Sequence, residues 1–435
     1  MERFALSRMK EWKENENRKP LIIRGARQVG KTWIMKTFGQ QYFEKTAYVN
    51  FDNNARMKQV FEGDLDIERL VLSISAETGV SIEAENTLII FDEVQEVPKA
   101  LTSLKYFYEN APQYAIVAAE SLLGVALHQG TSFPVGKVDF LDLYPLNFRV
   151  FLCAMGEKQF VSMLDSCDTQ MVTVFKTKYI ERLREYYFVG GMPEVVKDFS
   201  EKKDYNRVRA IQKNLINYYQ QDFSKHAEIK LVPRLNLVWN SIPMQLAKEN
   251  KKYIYGQVRE GSRAKDFELA IQWLLDCGLI HKVQRIQKPD LPLKAYIDFD
   301  AFKLFLVDIG LLIAMTDLDA KVIIEGNKIF TEFKGALTEQ YILQQLISDV
   351  GVIPYYYSTQ NSKGEIDFLV QGKTSVIPIE VKAEENLKAK SLKAFCEKYQ
   401  PSYAVRTSMS DYREQDWMTN IPLYAVKWIK NYVNQ

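Results

Sequence analysis

The chain has 435 residues, too many for one ordinary hydrophobic core, so two or three domains are expected. Its 57 Lys and Arg residues nearly balance its 55 Asp and Glu residues, which excludes a protein that coats nucleic acid through a general excess of positive charge. Four cysteines without paired metal-ligand spacing, and no apolar run of membrane-spanning length, predict a cytoplasmic protein without a membrane partner.

The first 150 residues alternate short apolar strands with helical segments, after an N-terminal amphipathic helix. We predict strands at 21–25, 46–52, 87–93 and 114–119, separated by helices that begin near residues 31, 64 and 98. Such strands pair in parallel through right-handed crossovers, with both faces of the sheet covered. The predicted fold class of residues 1–150 is therefore α/β, with a doubly wound parallel sheet.

The middle of the chain, residues 151–325, is predicted to be helical and to end in a winged helix. Two helices are expected, over 235–250 and from Arg263 to Gly278, and two strands then flank a proline-containing loop at 288–292. This order is typical of a winged helix, although packing alone also explains the apolar second helix. Basic residues near its start are candidate contacts to DNA phosphates, whereas the acidic residues that follow argue against deep insertion into a groove. The candidates are Arg259, Arg263 and Lys265.

Residues 326–435 are predicted to form a small α/β domain. A helix at 333–347 is followed by strands at 353–358, 365–370 and 375–382 and by a helix from residue 388. The change from a helical region to a helix with several short apolar strands places the domain boundary near residue 326.

A glycine-rich segment lies between the first predicted strand and the next helix. It has the pattern G-x-x-x-x-G-K-[ST], in which backbone N–H groups and the helix N-terminus hold phosphate. Lys31 is expected to contact the β- and γ-phosphate oxygens of ATP, and the Thr32 hydroxyl is expected to bind Mg²⁺. The predicted nucleotide-binding residues are Gly25, Ala26, Arg27, Gln28, Val29, Gly30, Lys31, Thr32 and Trp33.

Two acidic residues end the apolar strand "LIIFDE". Asp92 is suited to hold the Mg²⁺ shell, and Glu93 is suited to orient and polarise an attacking water. Two acids at the end of a strand are often only a solvated edge. Because these follow a phosphate loop at a suitable distance, we predict hydrolysis of ATP as well as binding.

The C-terminal region contains a set of carboxylates with a lysine. Glu339 is on a predicted helix, Asp367 is in the strand "GEIDFLV", and Glu380 and Lys382 share one face of the strand "SVIPIEVK". Asp367 and Glu380, extended by Glu339, are expected to bind Mg²⁺ or Mn²⁺, and Lys382 to orient or help deprotonate water for phosphodiester cleavage. The alternative is a domain that keeps these residues and only binds DNA or a partner.

Several segments occur in a fixed order along nearly the whole chain: "GARQVGKT", "FDEVQ", "LYPLNF", "FVGGMPEVV", "FKGALTEQYI", "GEIDFLV" and "PIEVKA". With this set the chain resembles the bacterial and archaeal predicted ATPases of the AAA+ superfamily that carry a C-terminal domain of unknown function. The resemblance implies a restriction-endonuclease-like core in that domain, with the PD-(D/E)xK arrangement of nucleases.

Two positions depart from the pattern of that family. Glu120 occupies a position where a glycine is expected, so Ser121 is the nearest candidate for the polar sensor that follows the fourth strand. Lys137 follows Gly136 where the family tends to have arginine, and lysine lacks the planar fork of an arginine finger. Arg149 is another candidate for that role, although a surface arginine is an equal alternative.

The predicted function is Mg²⁺-dependent ATP binding and hydrolysis coupled to engagement of DNA, either to remodel it or to gate its cleavage. ATP and DNA are thus the expected partners, and a homo-oligomer is left open. The main alternative is a nucleotide-switched interaction module, whose catalytically silent C-terminal domain docks a protein partner. A protein-remodelling ATPase is a third alternative, for which the sequence shows no clear pore-loop motif. A response of ATP turnover to DNA distinguishes the first two.

Overall fold

A computed structural model describes residues 4–120, 133–248, 251–325, 331–359, 364–385 and 389–435. The chain divides into two compact units. The N-terminal unit comprises Glu2–Tyr144 with Gln272–Leu279, and the C-terminal unit comprises Pro145–Ile271 with Ile280–Gln435. The sensor candidate Ser121 lies outside the described residues.

The N-terminal unit is built on a parallel five-stranded sheet of order β2-β3-β4-β1-β5. Its strands are β1 (Leu21–Arg24), β2 (Lys45–Asn50), β3 (Thr87–Asp92), β4 (Ala115–Ala119) and β5 (Asp139–Asp142). Every neighbouring pair is parallel, so the carboxyl ends of β1, β3 and β4 lie at one edge of the sheet. The glycine-rich segment follows β1 at this edge, and Asp92 ends β3 there.

Helices cover both faces of this sheet. They are α1 (Ala5–Glu14), α2 (Lys31–Tyr42), α3 (Ala55–Glu62), α4 (Ile67–Thr78) and α5 (Pro98–Asn110). Side chains alternate along β3: Leu88 faces Gly39 of α2, whereas Ile89 and Phe91 join a core cluster with Phe61 of α3. All six residues of β3 are buried, as expected for a central strand covered on both sides. The predicted doubly wound α/β fold is confirmed.

The C-terminal unit begins with a helical region. The remaining helices are, in chain order, α6 (Phe148–Ala154), α7 (Lys158–Asp165), α8 (Thr169–Val174), α9 (Lys176–Val189), α10 (Pro193–Lys202), α11 (Tyr205–His226), α12 (Val232–Leu246), α13 (Tyr255–Val258), α14 (Ala264–Asp276), α15 (Ile309–Met315), α16 (Ala320–Ile324), α17 (Thr331–Gln345), α18 (Lys390–Tyr399) and α19 (Ile429–Val433). The last residues of α14 belong to the N-terminal unit. No helix in the described ranges is long and apolar enough to cross a membrane. The cytoplasmic location stays a prediction.

A mixed eight-stranded sheet completes the C-terminal unit, in the order β12-β13-β11-β10-β9-β8-β6-β7. Its strands are β6 (Ile280–Ile286), β7 (Ile297–Leu306), β8 (Tyr355–Ser358), β9 (Glu365–Gln371), β10 (Val376–Val381), β11 (Val405–Ser408), β12 (Arg413–Gln415) and β13 (Met418–Pro422). The predicted hairpin of the winged helix is present as β6 and β7, but β6 also pairs in parallel with β8. The hairpin is thus one edge of a larger sheet. The winged helix and the domain boundaries at 150 and 325 stay predictions.

Candidate nucleotide site and C-terminal carboxylate cluster

The backbone of the segment after β1 depends on its glycines. Gly25 has φ 148° and Gly30 has φ 90°, both in the region that L-residues rarely adopt. A Cβ atom on Gly25 would lie 2.1 Å from the carbonyl oxygen of Leu143. Gln28 also has a positive φ of 63°, within the same turn. This sequence of turns brings the loop directly into the N-terminus of α2, as the motif predicts.

Lys31 is the first residue of α2, and only 6% of it is exposed. Its ammonium Nζ donates to the carbonyl oxygens of Gly25 and Ala26, each at 2.8 Å. Burial lowers the pKa of Lys31 to about 8, although the nearby carboxylates of Glu93 and Asp92 favour the charged form. The lysine is therefore held by the carbonyl groups of its own loop.

Thr32 and Asp92, distant in sequence, meet at the carboxyl edge of the sheet. The Thr32 hydroxyl donates to Asp92 Oδ2 at 2.7 Å, and the Tyr48 hydroxyl donates to the same oxygen at 2.9 Å. Burial and Asp92 raise the pKa of Tyr48 to about 12. Tyr48 was not predicted as a site residue, because a tyrosine in an apolar strand has no sequence signal beyond packing. A hydroxyl beside a carboxylate is a donor set that fits Mg²⁺.

Glu93 follows Asp92 in a left-handed backbone conformation, with φ 52°. A non-glycine residue with positive φ is uncommon, and such residues are concentrated at functional sites. The amide of Gln95 donates to Glu93 Oε2. The turn thus places the half-buried Glu93 carboxylate near the Lys31 ammonium, to which it is electrostatically coupled.

Glu120 is a further acid at this edge, directly after β4, whose neighbours are β1 and β3. Only 1% of it is exposed, and neither carboxylate oxygen has a hydrogen-bond partner among the described residues. Burial raises the pKa of Glu120 to about 8; Lys31 opposes this shift and Glu93 adds to it. Glu120, the residue that departs from the family pattern, therefore interacts electrostatically with both predicted catalytic groups, Lys31 and Glu93.

The two candidates for a finger residue have partners of their own. Lys137 Nζ lies 3.0 Å from Glu109 Oε1. Arg149 is buried, and its guanidinium pairs with Asp165 at 2.6 Å and with Asp349 at 2.8 Å. Arg149 is therefore an internal structural residue of the C-terminal unit, and the expectation that it supplies a finger is not supported.

The candidate DNA contacts lie near the start of α14. Arg259, Arg263 and Lys265 are all exposed. The Asp266 carboxylate accepts a hydrogen bond from the backbone N–H of Arg263 at 2.8 Å, which fixes the first turn of the helix. The opposite side of this turn packs Phe267 into the interior, so the predicted packing role and the exposed basic end coexist on one helix.

The predicted metal ligands of the C-terminal unit lie among lysines. Glu339, on α17, forms ion pairs with Lys251 and with Lys303, whose Nζ is 3.5 Å from Glu339 Oε2. Lys303, on β7, is fully buried and also pairs with Glu365. Burial opposes these charges, yet Glu339 and Glu365 raise the pKa of Lys303, and the two lysines hold the pKa of Glu339 below its usual value. Lys303 and Glu339 therefore stabilise each other's charged form.

The other two predicted ligands are also engaged. Asp367 Oδ2 accepts a hydrogen bond from the Val381 N–H at 2.7 Å, and burial together with Glu339 raises the pKa of Asp367 to about 8. Glu380 is buried and lies 2.8 Å from Lys382 Nζ. In the part of the chain that the structure describes, no group of three or more His, Cys, Asp or Glu residues could hold a metal ion. The Mg²⁺ or Mn²⁺ site at Asp367, Glu380 and Glu339 stays a prediction.

Three family models match different parts of the chain. Residues 17–152 match the family described as "AAA domain". Residues 180–322 and 334–426 match two families that are each described as a domain of unknown function, DUF8612 and DUF4143 respectively. No curated protein matches the chain. The first match agrees with the parallel sheet and the phosphate loop of the N-terminal unit.

The solved structures that match this chain share little sequence with it. The Walker-type ATPase PABY2304 of Pyrococcus abyssi is 14% identical, with a TM-score of 0.44, and the match covers 72% of this chain and 95% of that one. The Aeropyrum pernix ORC1 protein, in complex with DNA, is 12% identical over 72% of this chain and 91% of that one, with a TM-score of 0.27. Cdc6p from Pyrobaculum aerophilum is 8% identical over 74% and 93%, with a TM-score of 0.26. Similarity at this level carries no functional argument.

Proposed function

We propose that the chain binds and hydrolyses ATP in the presence of Mg²⁺ and that turnover is coupled to engagement of DNA. The observation that carries the first part is the contact of the Thr32 hydroxyl with Asp92 beside the loop of Gly25 to Thr32. This contact joins the two motifs of the site, in a region that matches an AAA domain.

In this proposal the loop N–H groups and the N-terminus of α2 bind the phosphates of ATP. Lys31 exchanges its two loop carbonyls for β- and γ-phosphate oxygens, which are stronger partners for an ammonium ion. Thr32 and Asp92 would hold Mg²⁺, which supplies charge neutralisation at the phosphates. Glu93 orients the attacking water and accepts its proton.

The basic end of α14 supports the DNA part of the proposal. Arg259, Arg263 and Lys265 are exposed on one short stretch, and phosphate contacts of this kind position a protein on DNA without reading its sequence. Remodelling of DNA requires such contacts together with ATP turnover. Gated cleavage requires in addition a metal at the C-terminal carboxylates, which their lysine partners disfavour.

The second candidate is the nucleotide-switched interaction module with a catalytically silent C-terminal domain. The specific observation in its favour is that Glu339 and Glu380 are both paired with lysines. It predicts slow ATP turnover that is indifferent to DNA, and a protein partner that binds in one nucleotide state only.

Steady-state ATP turnover with Mg²⁺, measured with single-stranded, duplex and forked DNA and without DNA, tests the proposal. Lys31→Ala is the blank, and sedimentation with and without nucleotide records whether a homo-oligomer forms. Stimulation by one form of DNA that is absent in the variant supports the coupling. Turnover that no DNA changes favours the switch, and equal turnover in wild type and variant contradicts the assignment of the site.

A further inference from the structure

Lys303 lies at the centre of the acidic residues in the C-terminal unit. It extends from β7 at the edge of the sheet and ion-pairs with Glu365 of β9 and Glu339 of α17. Its Nζ is also 4.9 Å from the centre of the buried Tyr356 ring, which adds a cation–π contact. One side chain therefore joins three elements of the unit through its positive charge.

Complete burial of an ammonium group costs desolvation free energy, which is offset only where charged or polar partners surround the group. Lys303 is 0% exposed, so the cost of its burial is offset by the acids around it and by the Tyr356 ring. Lys251 adds a second positive charge on the other side of Glu339. The positive charge that a cluster of carboxylates needs is thus supplied by the protein itself.

We infer that Lys303 is the resident counter-ion of this cluster. Its ammonium group supplies the positive charge that a divalent cation would otherwise supply to the acids. A second cation placed among the same acids would be repelled by the Lys303 and Lys251 ammonium groups in surroundings of low dielectric. The cluster therefore takes up neither Mg²⁺ nor Mn²⁺ and cuts no DNA. It fixes the edge strand β7 to β9 and α17.

This inference is independent of ATP hydrolysis, because the nucleotide residues lie in the other unit. It is tested on the nucleotide-free full chain by titration with Mn²⁺, followed by electron paramagnetic resonance of the free ion. Asp367→Asn reports on uptake at the cluster, and Thr32→Ala reports on uptake at the nucleotide site. We expect Asp367→Asn to take up as much Mn²⁺ as wild type does. Uptake of one equivalent by wild type that is lost in Asp367→Asn would overturn the inference.

A gain of metal binding provides the second test. Lys303→Met keeps an unbranched side chain that is one atom shorter and removes its charge, so the acids lose their counter-ion. We expect this variant to unfold at a lower temperature than wild type, to take up Mn²⁺, and to recover stability when Mn²⁺ is added. Lys294→Met, at an exposed lysine, is the matched control and should behave as wild type in all three respects. A Lys303→Met variant as stable as wild type and indifferent to Mn²⁺ would contradict the counter-ion role.

Discussion

At the scale of single residues, the environment of Glu120 connects protonation to stability. Its pKa is about 8 in the folded chain, against about 4.5 for an ordinary glutamate. Between these two pH values the folded state keeps a proton that the unfolded state releases, so the free energy of unfolding falls as pH rises through this window. Above the folded pKa the buried carboxylate is charged, and the free energy of unfolding falls no further on account of this group.

Glu120→Gln replaces this acid by a neutral side chain of the same size. We expect the variant to gain stability relative to wild type as pH rises from 5 to 9, by an amount on the order of a few kcal/mol, since one pKa unit is worth about 1.4 kcal/mol. Thermal unfolding across this pH range measures the difference. Glu85→Gln, at an exposed acid of the same unit, is the control. A constant difference between wild type and Glu120→Gln across the range would contradict the assigned protonation.

Lys31 and Thr32 give a second prediction at this scale. Lys31→Ala removes the ammonium that the loop carbonyls of Gly25 and Ala26 hold, and Thr32→Ala removes the hydroxyl that contacts Asp92. We expect each to lower ATP turnover by about 100-fold or more, since each group acts on charge at the phosphates. Lys58→Ala, at an exposed lysine on α3, should retain wild-type turnover. Loss of turnover in Lys58→Ala as well would show that the effect is not specific to the site.

At the scale of elements, the loop depends on how closely β1 and the residues after β5 approach each other. Gly25→Ala would place a Cβ 2.1 Å from the backbone oxygen of Leu143, which cannot move as a side chain can. We expect this variant to lose nucleotide binding and to unfold at a lower temperature. Gly79 also has positive φ but has nothing within 4 Å of its Cβ position, so Gly79→Ala should cost only about 1 kcal/mol. Nucleotide titration and thermal unfolding of both variants check this, and equal effects would contradict the steric argument.

The same elements show where a sequence is informative about structure. The loop and β3 could be predicted because their signals are local: glycine spacing, an apolar run and terminal acids. The helix Pro98–Asn110 begins at the predicted residue, since a proline is well suited to the first turn of a helix. In contrast β5, β11, β12 and β13 were not predicted, because each of these short strands contains two or more polar residues and is defined by its partners in the sheet.

At the scale of the whole molecule, the missed residues are those whose role arises from distant contacts. Lys303 is 36 residues from Glu339 and 62 from Glu365 along the chain. An apolar strand that contains one lysine is usually read as having one exposed position, so the pattern gives no sign of a buried ion pair. The acids were recognised from their motif, whereas the lysines that change their chemistry were not.

The coupling of turnover to DNA is tested best by a change of charge at one place. Replacing Arg259, Arg263 and Lys265 together by alanine removes three exposed positive charges near the start of α14. If these residues contact phosphates, the affinity for DNA should depend less steeply on salt, with the slope of log affinity against log salt concentration smaller in magnitude by about 3. Stimulation of ATP turnover by DNA should be lost, whereas basal ATP turnover should be unchanged. The matched control removes the same charge from α18 and α19, by alanine at the exposed residues Lys393, Lys398 and Lys430. Because net charge is equal in the two variants, weaker DNA binding in both would indicate a general electrostatic effect, and a deficit in the first alone would locate DNA at α14.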